Sequence, residues 1–396
     1  MKIGQFGHLT YCTNIHPGES WHETKCALLA YLPQVRRRLA LVQPMGIGLR
    51  LSQAAATTLA ANEEEKRSFK SFLADNKFYV FTINGFPYGN FHRIRVKDSV
   101  YLPDWRDESR LAYTDLLAEL LTDLLPDGVS GSISTVGLAY RAHLKGGNET
   151  ALMTDLLIRH AAHLHALREK TGKLVVLALE PEPGCLLEST ADVVGFFAEN
   201  LHGKAAAERF SMLTGLDSAS SMEALRLHIG LCLDICHAAV GFEDPVESLS
   251  TLRRAGINVH KVQLSAGIKV DNPGSADLKF LAPFADDVYL HQLAARTGNS
   301  IAWWDDLPDA LDDERARLAE EWRIHYHVPL WTEPGEQCST TARAVADVLA
   351  LHRHQPVAPH LEIETYTWDV LGRNHHGFDL ATSIAKEMKW VLAQLA

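Results

Sequence analysis

Apolar and polar positions fall into blocks along the chain that alternate between a strand-like and a helix-like period. The clearest strand block is Val175-Val-Leu-Ala-Leu-Glu-Pro-Glu-Pro-Gly184, an unbroken apolar run that meets one carboxylate, then a second two positions on, then a Pro-Gly stop. A continuous apolar run of this length is the pattern of a parallel strand buried on both faces. Comparable runs cover residues 2–13 in pieces, 46–51, 78–84, 131–136, 228–237, 258–265 and 360–368. Helical periodicity lies between them, over 21–39 with Ser20 or Glu23 as cap, after residue 51 with the acidic run Glu63-Glu-Glu65, and over 108–125 and 149–171. It returns with an irregular insert over 190–225 and closes the chain over 379–395. Such alternation predicts a parallel sheet with helical crossovers, and eight βα units predict an α/β fold, the (β/α)8 TIM barrel. From residue 266 the alternation breaks. Strand-like runs at 288–293, 300–304 and 322–331 surround a charged helix over 307–322. The expected organisation is one TIM-barrel domain over 1–396 with an insertion-rich region, 266–345, between strands seven and eight.

Composition narrows the partners. The chain has 396 residues, 46% hydrophobic, with net charge −11 and pI about 6.0. That is ample for a large core. The acidic balance argues against nucleic acid and against an anionic membrane surface, both of which need basic patches. The six cysteines form no Cys-x-x-Cys pair and read as reduced core thiols of a cytoplasmic protein. The first residues begin like a strand rather than a signal peptide. No apolar run reaches the ~18 residues a membrane span needs.

A TIM barrel builds its site at the carboxyl ends of its strands, so the polar residues there matter most. Period-2 alternation points Glu180 and Glu182 the same way. Strand six offers Asp234, with His237 three residues on. Strand seven offers Gln263, preceded by His260 and Lys261. Strand eight offers Glu362 and Glu364, which share a face. Charge at such strand ends is costly to desolvate unless a cation or substrate pairs with it. Three carboxylates and one amide or imidazole make a mononuclear divalent-metal site, with oxygens suited to Mg²⁺ or Mn²⁺ and imidazole to Zn²⁺, Fe²⁺ or Mn²⁺. The competing reading for each acid is a solvated strand end. His8, Tyr11 and Asn14 are pocket candidates at the end of strand one, although Asn14 and His16 could instead hold the loop turn. His325 and His327 share a strand face, and either contact a ligand or pack in a hairpin under Trp322 and Trp331. His291 and Arg296 read as surface residues, with contact to a substrate anion as the alternative. His163 and His165, set among apolar helix positions, read as structural, and Cys232 and Cys236 as packed thiols with no cationic partner in reach. Gly-rich phosphate loops and Ser-His-Asp signatures are absent.

The runs Ala178-Leu-Glu-Pro181, Leu233-Asp-Ile-Cys-His237, Lys261-Val-Gln-Leu-Ser265 and Leu361-Glu-Ile-Glu364 resemble the xylose-isomerase-like TIM barrels, which include sugar isomerases, ketose epimerases, inosose dehydratase and endonuclease IV. The opening His8-Leu-Thr-Tyr-Cys-Thr-Asn-Ile-His-Pro-Gly-Glu-Ser-Trp21, with Trp322-Arg-Ile-His-Tyr-His-Val-Pro329 and Leu361-Glu-Ile-Glu-Thr-Tyr-Thr-Trp368, is similar to the EboE-like metabolite-traffic family across nearly the whole chain. The resemblance implies one divalent ion held by Glu180, Asp234, Gln263 and Glu364. It implies Glu180 and Glu364 as the proton-exchanging acids of an isomerase or epimerase, and His237 as a contact to a substrate oxygen. Glu182, Lys261, Glu362, His325 and His327 join His8, Tyr11 and Asn14 as candidate substrate contacts. Gln263 stands where many members carry His, and His260 competes with it. The substrate class implied is a small polyhydroxylated or carbonyl metabolite in secondary-metabolite synthesis or traffic, with a membrane complex of the same pathway as partner. A non-catalytic metabolite carrier on the same barrel is the alternative. Endonuclease-like action is opposed by the acidic balance and by the more numerous histidine ligands such sites use.

Overall fold

The structure, a computed structural model, describes residues 1–89, 97–285, 290–331, 338–366 and 379–396. Seven strands arrive in turn with helices between them: β1 (His8–Tyr11), β2 (Met45–Arg50), β3 (Phe78–Asn84), β4 (Gly131–Val136), β5 (Val175–Glu180), β6 (Ile229–Asp234) and β7 (Val259–Leu264). The eighth barrel strand is β13 (His360–Ile363). Their order is β1-β13-β7-β6-β5-β4-β3-β2, every pairing is parallel, and a parallel bridge from Cys12 to Gly48 brings the two edges together. This is the expected (β/α)8 TIM barrel. Strands β2, β4, β5 and β6 are buried at every position, which is what the apolar runs of β5 and β6 require.

Local chemistry fixes the helix ends. Ser20 and Glu23 act together as a capping box on Trp21–Arg38, so both candidates for that cap are right. Asp107 caps Glu108–Leu124, and Gly172 closes Glu149–Thr171 in the left-handed region at φ 71°. Asp234 ends β6 and also caps Ile235–Val240 through the His237 N–H. The sixth strand is therefore shorter than its apolar run, and Cys236 sits on a helix. The region after residue 189 resolves into Thr190–Phe196, Lys204–Thr214 and Ser218–His228.

The insertion is a second, antiparallel sheet. Ser265 alone separates β7 from β8 (Ala266–Asp271), and the sheet continues with β9 (Leu293–Thr297), β10 (Ser300–Trp304), β11 (Glu321–Val328) and β12 (Ser339–Thr340), in the order β10-β9-β11-β8-β12. The charged helix expected over 307–322 is two short pieces, Leu307–Asp312 and Glu314–Arg317, because β11 begins at Glu321. The helix Ala342–His354 then crosses back to β13. Buried apolar side chains of the barrel and of the inserted sheet belong to one connected core. The sheet also rests on Ile235–Val240, where the Arg323 guanidinium donates to the Ala239 carbonyl at 2.6 Å. Parts of the expected runs 288–293 and 360–368 lie outside the described residues. No helix among the described residues is long and apolar enough to cross a membrane.

Candidate metal and ligand site at the barrel mouth

The barrel interior is layered. At the amino ends of the strands, His8 Nδ1 meets the Tyr79 hydroxyl at 2.7 Å, and His360 Nδ1 meets Ser132 Oγ at 2.7 Å. His260 lies against Gly230 in the same lower region. In the middle, Lys261 Nζ pairs with Glu362 Oε2 at 2.5 Å and donates to Ser134 Oγ at 3.1 Å, with both charged side chains fully buried. The Glu362 carboxylate occupies space that only a glycine leaves, since a Cβ on Gly48 would lie 1.7 Å from Glu362 Oε1.

Above this layer opens a cleft that is partly continuous with solvent. It is lined by Asn14, Asn84, Glu180, Glu182, His237 and Glu364 from the barrel, by His325 and His327 from β11, and by residues that include Lys97, Tyr101 and Tyr366. Glu364 Oε1 accepts from the Asn14 and Asn84 amides at 2.8 and 3.0 Å. Tyr101 donates its hydroxyl to Glu182 Oε1 at 3.0 Å. Asp234 Oδ1 accepts from the His237 N–H at 2.9 Å and Ser265 Oγ at 2.7 Å. Gln263 is in register with Asp234, and its side-chain Oε1 accepts from the Cys232 thiol at 3.5 Å.

Ligand-capable atoms converge here. Glu180, Asp234 and His237 each place one within 4.8 Å of the others, as do His237, His325 and His327, and Asp234, Cys236 and His327. Glu364 lines the same cleft but stands outside these clusters. Burial, then repulsion from Glu364 and Asp234, raises the Glu180 proton affinity well above the carboxylate range. Burial, then Asp234 and Glu362, does the same to Glu364. Burial pushes Glu182 up to about 7. Burial, then the neighbouring imidazoles, keeps His325 far below its usual range. For His327, burial leads again, and the nearby Asp234 opposes it only in part, leaving a value of about 4. Both shifts favour the neutral imidazole of His325 and His327, the form that ligates metals.

These observations fit a divalent cation. Glu180 Oε2, Asp234 Oδ2 and Gln263 Nε2 are buried and accept or donate no hydrogen bond among the described residues. The nearby Lys261 ammonium is committed to Glu362. An uncompensated cluster of buried carboxylates is costly, and a bound cation removes that cost.

The expected site residues divide by depth. Asn14, Glu180, Glu182, His237, His325, His327 and Glu364 line the cleft, with Asp234 and Gln263 beside them. Four expectations for substrate contact need correction. His8 begins β1 and so lies at the far end of the barrel. Tyr11 bonds to His16 at 2.9 Å, and His16 stacks on Tyr31 of the first helix, so Tyr11 faces the outer layer. Lys261 and Glu362 sit about one strand pleat, roughly 6–7 Å, below the end residues of their strands and neutralise each other there. His291, expected at the surface, is buried in the insertion with its Nδ1 3.2 Å from the His325 carbonyl, and Arg296 pairs with Glu321. Sequence reading missed Tyr101, Lys97, Asn84 and Gln292. Only Asn84, last in its strand, carried a positional signal.

No protein-family model and no curated protein matches the chain. Solved structures do resemble it across nearly its whole length. A xylose isomerase-like TIM barrel protein from Mycobacterium smegmatis in complex with magnesium shares 13% identity over 99% of this chain and 95% of its own, with a TM-score of 0.48. The IolI protein with a bound zinc atom shares 10% identity over 98% and 97%, with a TM-score of 0.46. The probable 3-DHS dehydratase AsbF involved in petrobactin synthesis, from Bacillus anthracis, shares 13% over 97% and 98%, with a TM-score of 0.45. The chain's structural neighbours are xylose-isomerase-like TIM barrels.

Proposed function

We propose that the protein is a metal-dependent isomerase or epimerase acting on a small polyhydroxylated or carbonyl metabolite. The observation that carries this reading is a pair of buried glutamates, Glu180 and Glu364, on one cleft that also presents Asp234 and neutral imidazoles. Glu180, Asp234, Gln263 and Glu364 are the residues that would hold a divalent ion, with His237 adjacent. The ion would supply Lewis-acid polarisation of a carbonyl and charge stabilisation beside it. Glu180 and Glu364, whose burial raises their proton affinity, suit proton exchange at the carbon next to that carbonyl, one as base and the other as acid. Asn14 and Asn84 hold Glu364 in place through its Oε1. Glu182, held by Tyr101, and the cleft histidines offer hydrogen bonds to substrate hydroxyls. The EboE-like opening motif supports a place in secondary-metabolite synthesis or traffic, in the cytoplasm, with hand-over to a membrane complex of that pathway.

The test is metal analysis of purified protein together with solvent-deuterium exchange. The expected result is tight divalent-ion uptake, deuterium entering the carbon beside the carbonyl of a bound ketose or hydroxyketone, and loss of exchange in Glu180→Gln and Glu364→Gln. A folded protein that takes up no divalent ion overturns the reading. Ligand binding without exchange replaces it with a metabolite carrier.

A further inference from the structure

The inserted sheet ends in an open edge. In the order β10-β9-β11-β8-β12, β10 is paired on one side only among the described residues, and positions 300–303 are exposed. Hydrogen bonding alternates along an antiparallel pair, so the phase of one ladder fixes that of the next. On the β11 side of β9, the Gln292 and Arg296 carbonyls accept from the His325 and Glu320 N–H groups, both at 2.8 Å. Even-numbered residues here therefore bond towards β11. The odd-numbered Leu293, Ala295 and Thr297 bond towards β10, where their partners are Trp304, Ala302 and Ser300. Ile301 and Trp303 fall between these pairs, and their N–H and C=O groups point out of the sheet. The two-residue turn agrees with this phase, since Gly298, at φ 57°, closes it on Thr297 and Ser300.

Proteins commonly guard such an edge with lysine, proline, a bulge or a cover. Residues 298–304, Gly-Asn-Ser-Ile-Ala-Trp-Trp, carry no charge and no proline, and β10 pairs with β9 without a register shift. Beside the open backbone groups stand large apolar side chains instead. Ile301 is 43% exposed and Trp303 38%, both on one face of the strand. Phe242 extends that face. The Arg296 guanidinium, from the residue paired with Ile301, lies 4.9 Å from the Phe242 ring, and a Cβ on Gly241 would touch Trp303 at 3.8 Å. Aromatic residues and arginine around an uncharged centre are the composition of an interface core.

We propose that this edge pairs with the same edge of a second copy of the chain, antiparallel about a twofold axis through Ala302. In that register Ile301 faces the partner's Trp303, and Trp303 faces the partner's Ile301. Each facing pair exchanges two backbone hydrogen bonds, so all four open groups of each strand are used. Each isoleucine also meets a tryptophan, a favourable cross-strand pair. A charged peptide finds nothing on this strand to select it, whereas an identical strand is complementary at every open group. The strand supplies five residues a side, against roughly 20–30 in a standard interface, so the dimer is weak. Each copy carries net charge −11 and the paired strands none, so salt should tighten the dimer by screening the repulsion. The proposal does not rest on the isomerase reading.

Sedimentation equilibrium of the full-length protein, from about 1 μM towards about 1 mM, should show monomer giving way to dimer, and at lower concentration as salt is raised. Ile301→Lys and Trp303→Lys put charge on an exposed edge and should leave a folded monomer throughout. Ile301→Pro, which removes an outward N–H and no bond to β9, should do the same. The register has its own test. Opposed residues between two hydrogen-bonded pairs have Cα atoms about 4.5 Å apart, within disulfide reach. Mild oxidation should crosslink Ala302→Cys above the wild-type background and not Ser300→Cys, which faces the partner's Trp304. Wild type that stays monomeric over the whole range overturns the proposal and leaves the edge to a strand of another protein. A dimer unchanged by both lysine variants overturns it as well, and so does crosslinking of Ser300→Cys as readily as of Ala302→Cys.

Discussion

Replacing Lys261 by Met should destabilise the protein severely without touching the cleft. Lys261 and Glu362 face each other at 2.5 Å with both side chains at 0% exposure, and Ser134 takes another of the ammonium hydrogens. Burial works against the charge on Lys261, but Glu362 outweighs it and holds the proton more tightly than in an ordinary lysine. Removing the cation strands the carboxylate in the barrel interior, and breaking such a buried pair costs about 3–5 kcal/mol. Against a typical total stability of ~5–15 kcal/mol that is a large share. Removing both charges is different. Lys261→Met/Glu362→Met leaves no ion to desolvate, and such double replacements are neutral or stabilising by about 1–4 kcal/mol. Reversible urea unfolding, followed by tryptophan fluorescence at pH 7, measures both. A single variant within about 0.5 kcal/mol of wild type would show that the pair contributes nothing beyond a surface change. A double variant as damaged as the single would show that packing rather than charge governs this layer.

Other outcomes follow from the same layers. Gly48→Ala drives a Cβ to 1.7 Å from Glu362 Oε1 and 2.9 Å from the Tyr11 carbonyl, and should cost at least ~1–3 kcal/mol of unfolding free energy, whereas Gly195→Ala, with nothing within 4 Å, should be neutral or stabilising. Glu387 is buried, accepts from the Leu330 N–H at 3.0 Å and Thr365 Oγ1 at 2.8 Å, and burial raises it to about 7. The folded state then binds more protons than the unfolded chain between the unfolded value near 4.5 and about 7, so wild-type stability falls as pH rises through that window. Glu387→Gln should flatten the fall by up to ~1.4 kcal/mol per pH unit in a pH series of unfolding curves. Tyr101→Phe removes the one hydroxyl donated to Glu182 and should raise the apparent pKa of Glu182 above about 7, read from the pH profile of ligand binding.

The barrel was readable because its signal is repeated. Runs at 78–84 and 131–136 match their strands residue for residue, and 149–171 matches its helix. Depth within the barrel was not readable. Glu362 and Glu364 have the same parity, yet one pleat separates a structural ion pair from a cleft residue, and only the three-dimensional position of Gly48 and Lys261 makes that difference. His8 and Lys261 were misplaced for the same reason: the periodicity gives the face and not the height. At β7, a register shift beside His260 disturbs the simple alternation that weighed it against Gln263. Tyr101, which reaches the cleft from a 3₁₀ turn, and Gln292, which meets His325 from an irregular stretch ahead of β9, left no trace.

The insertion changes what the barrel end can bind. Barrel strands deliver oxygen ligands, because Glu180 and Asp234 end otherwise apolar strands and Glu364 directly follows β13. On β7 it is Gln263 rather than a histidine that stands beside Asp234. Strand β11 delivers the imidazoles instead, from a sheet that begins one residue after β7 and is pinned to the barrel by Arg323 on the Ala239 carbonyl and by the Lys97–Asp306 ion pair at 2.6 Å. Oxygen donors from the barrel and nitrogen donors from the inserted sheet thus meet in one cleft, with Asp234 and His237 within ligand distance of members of both sets.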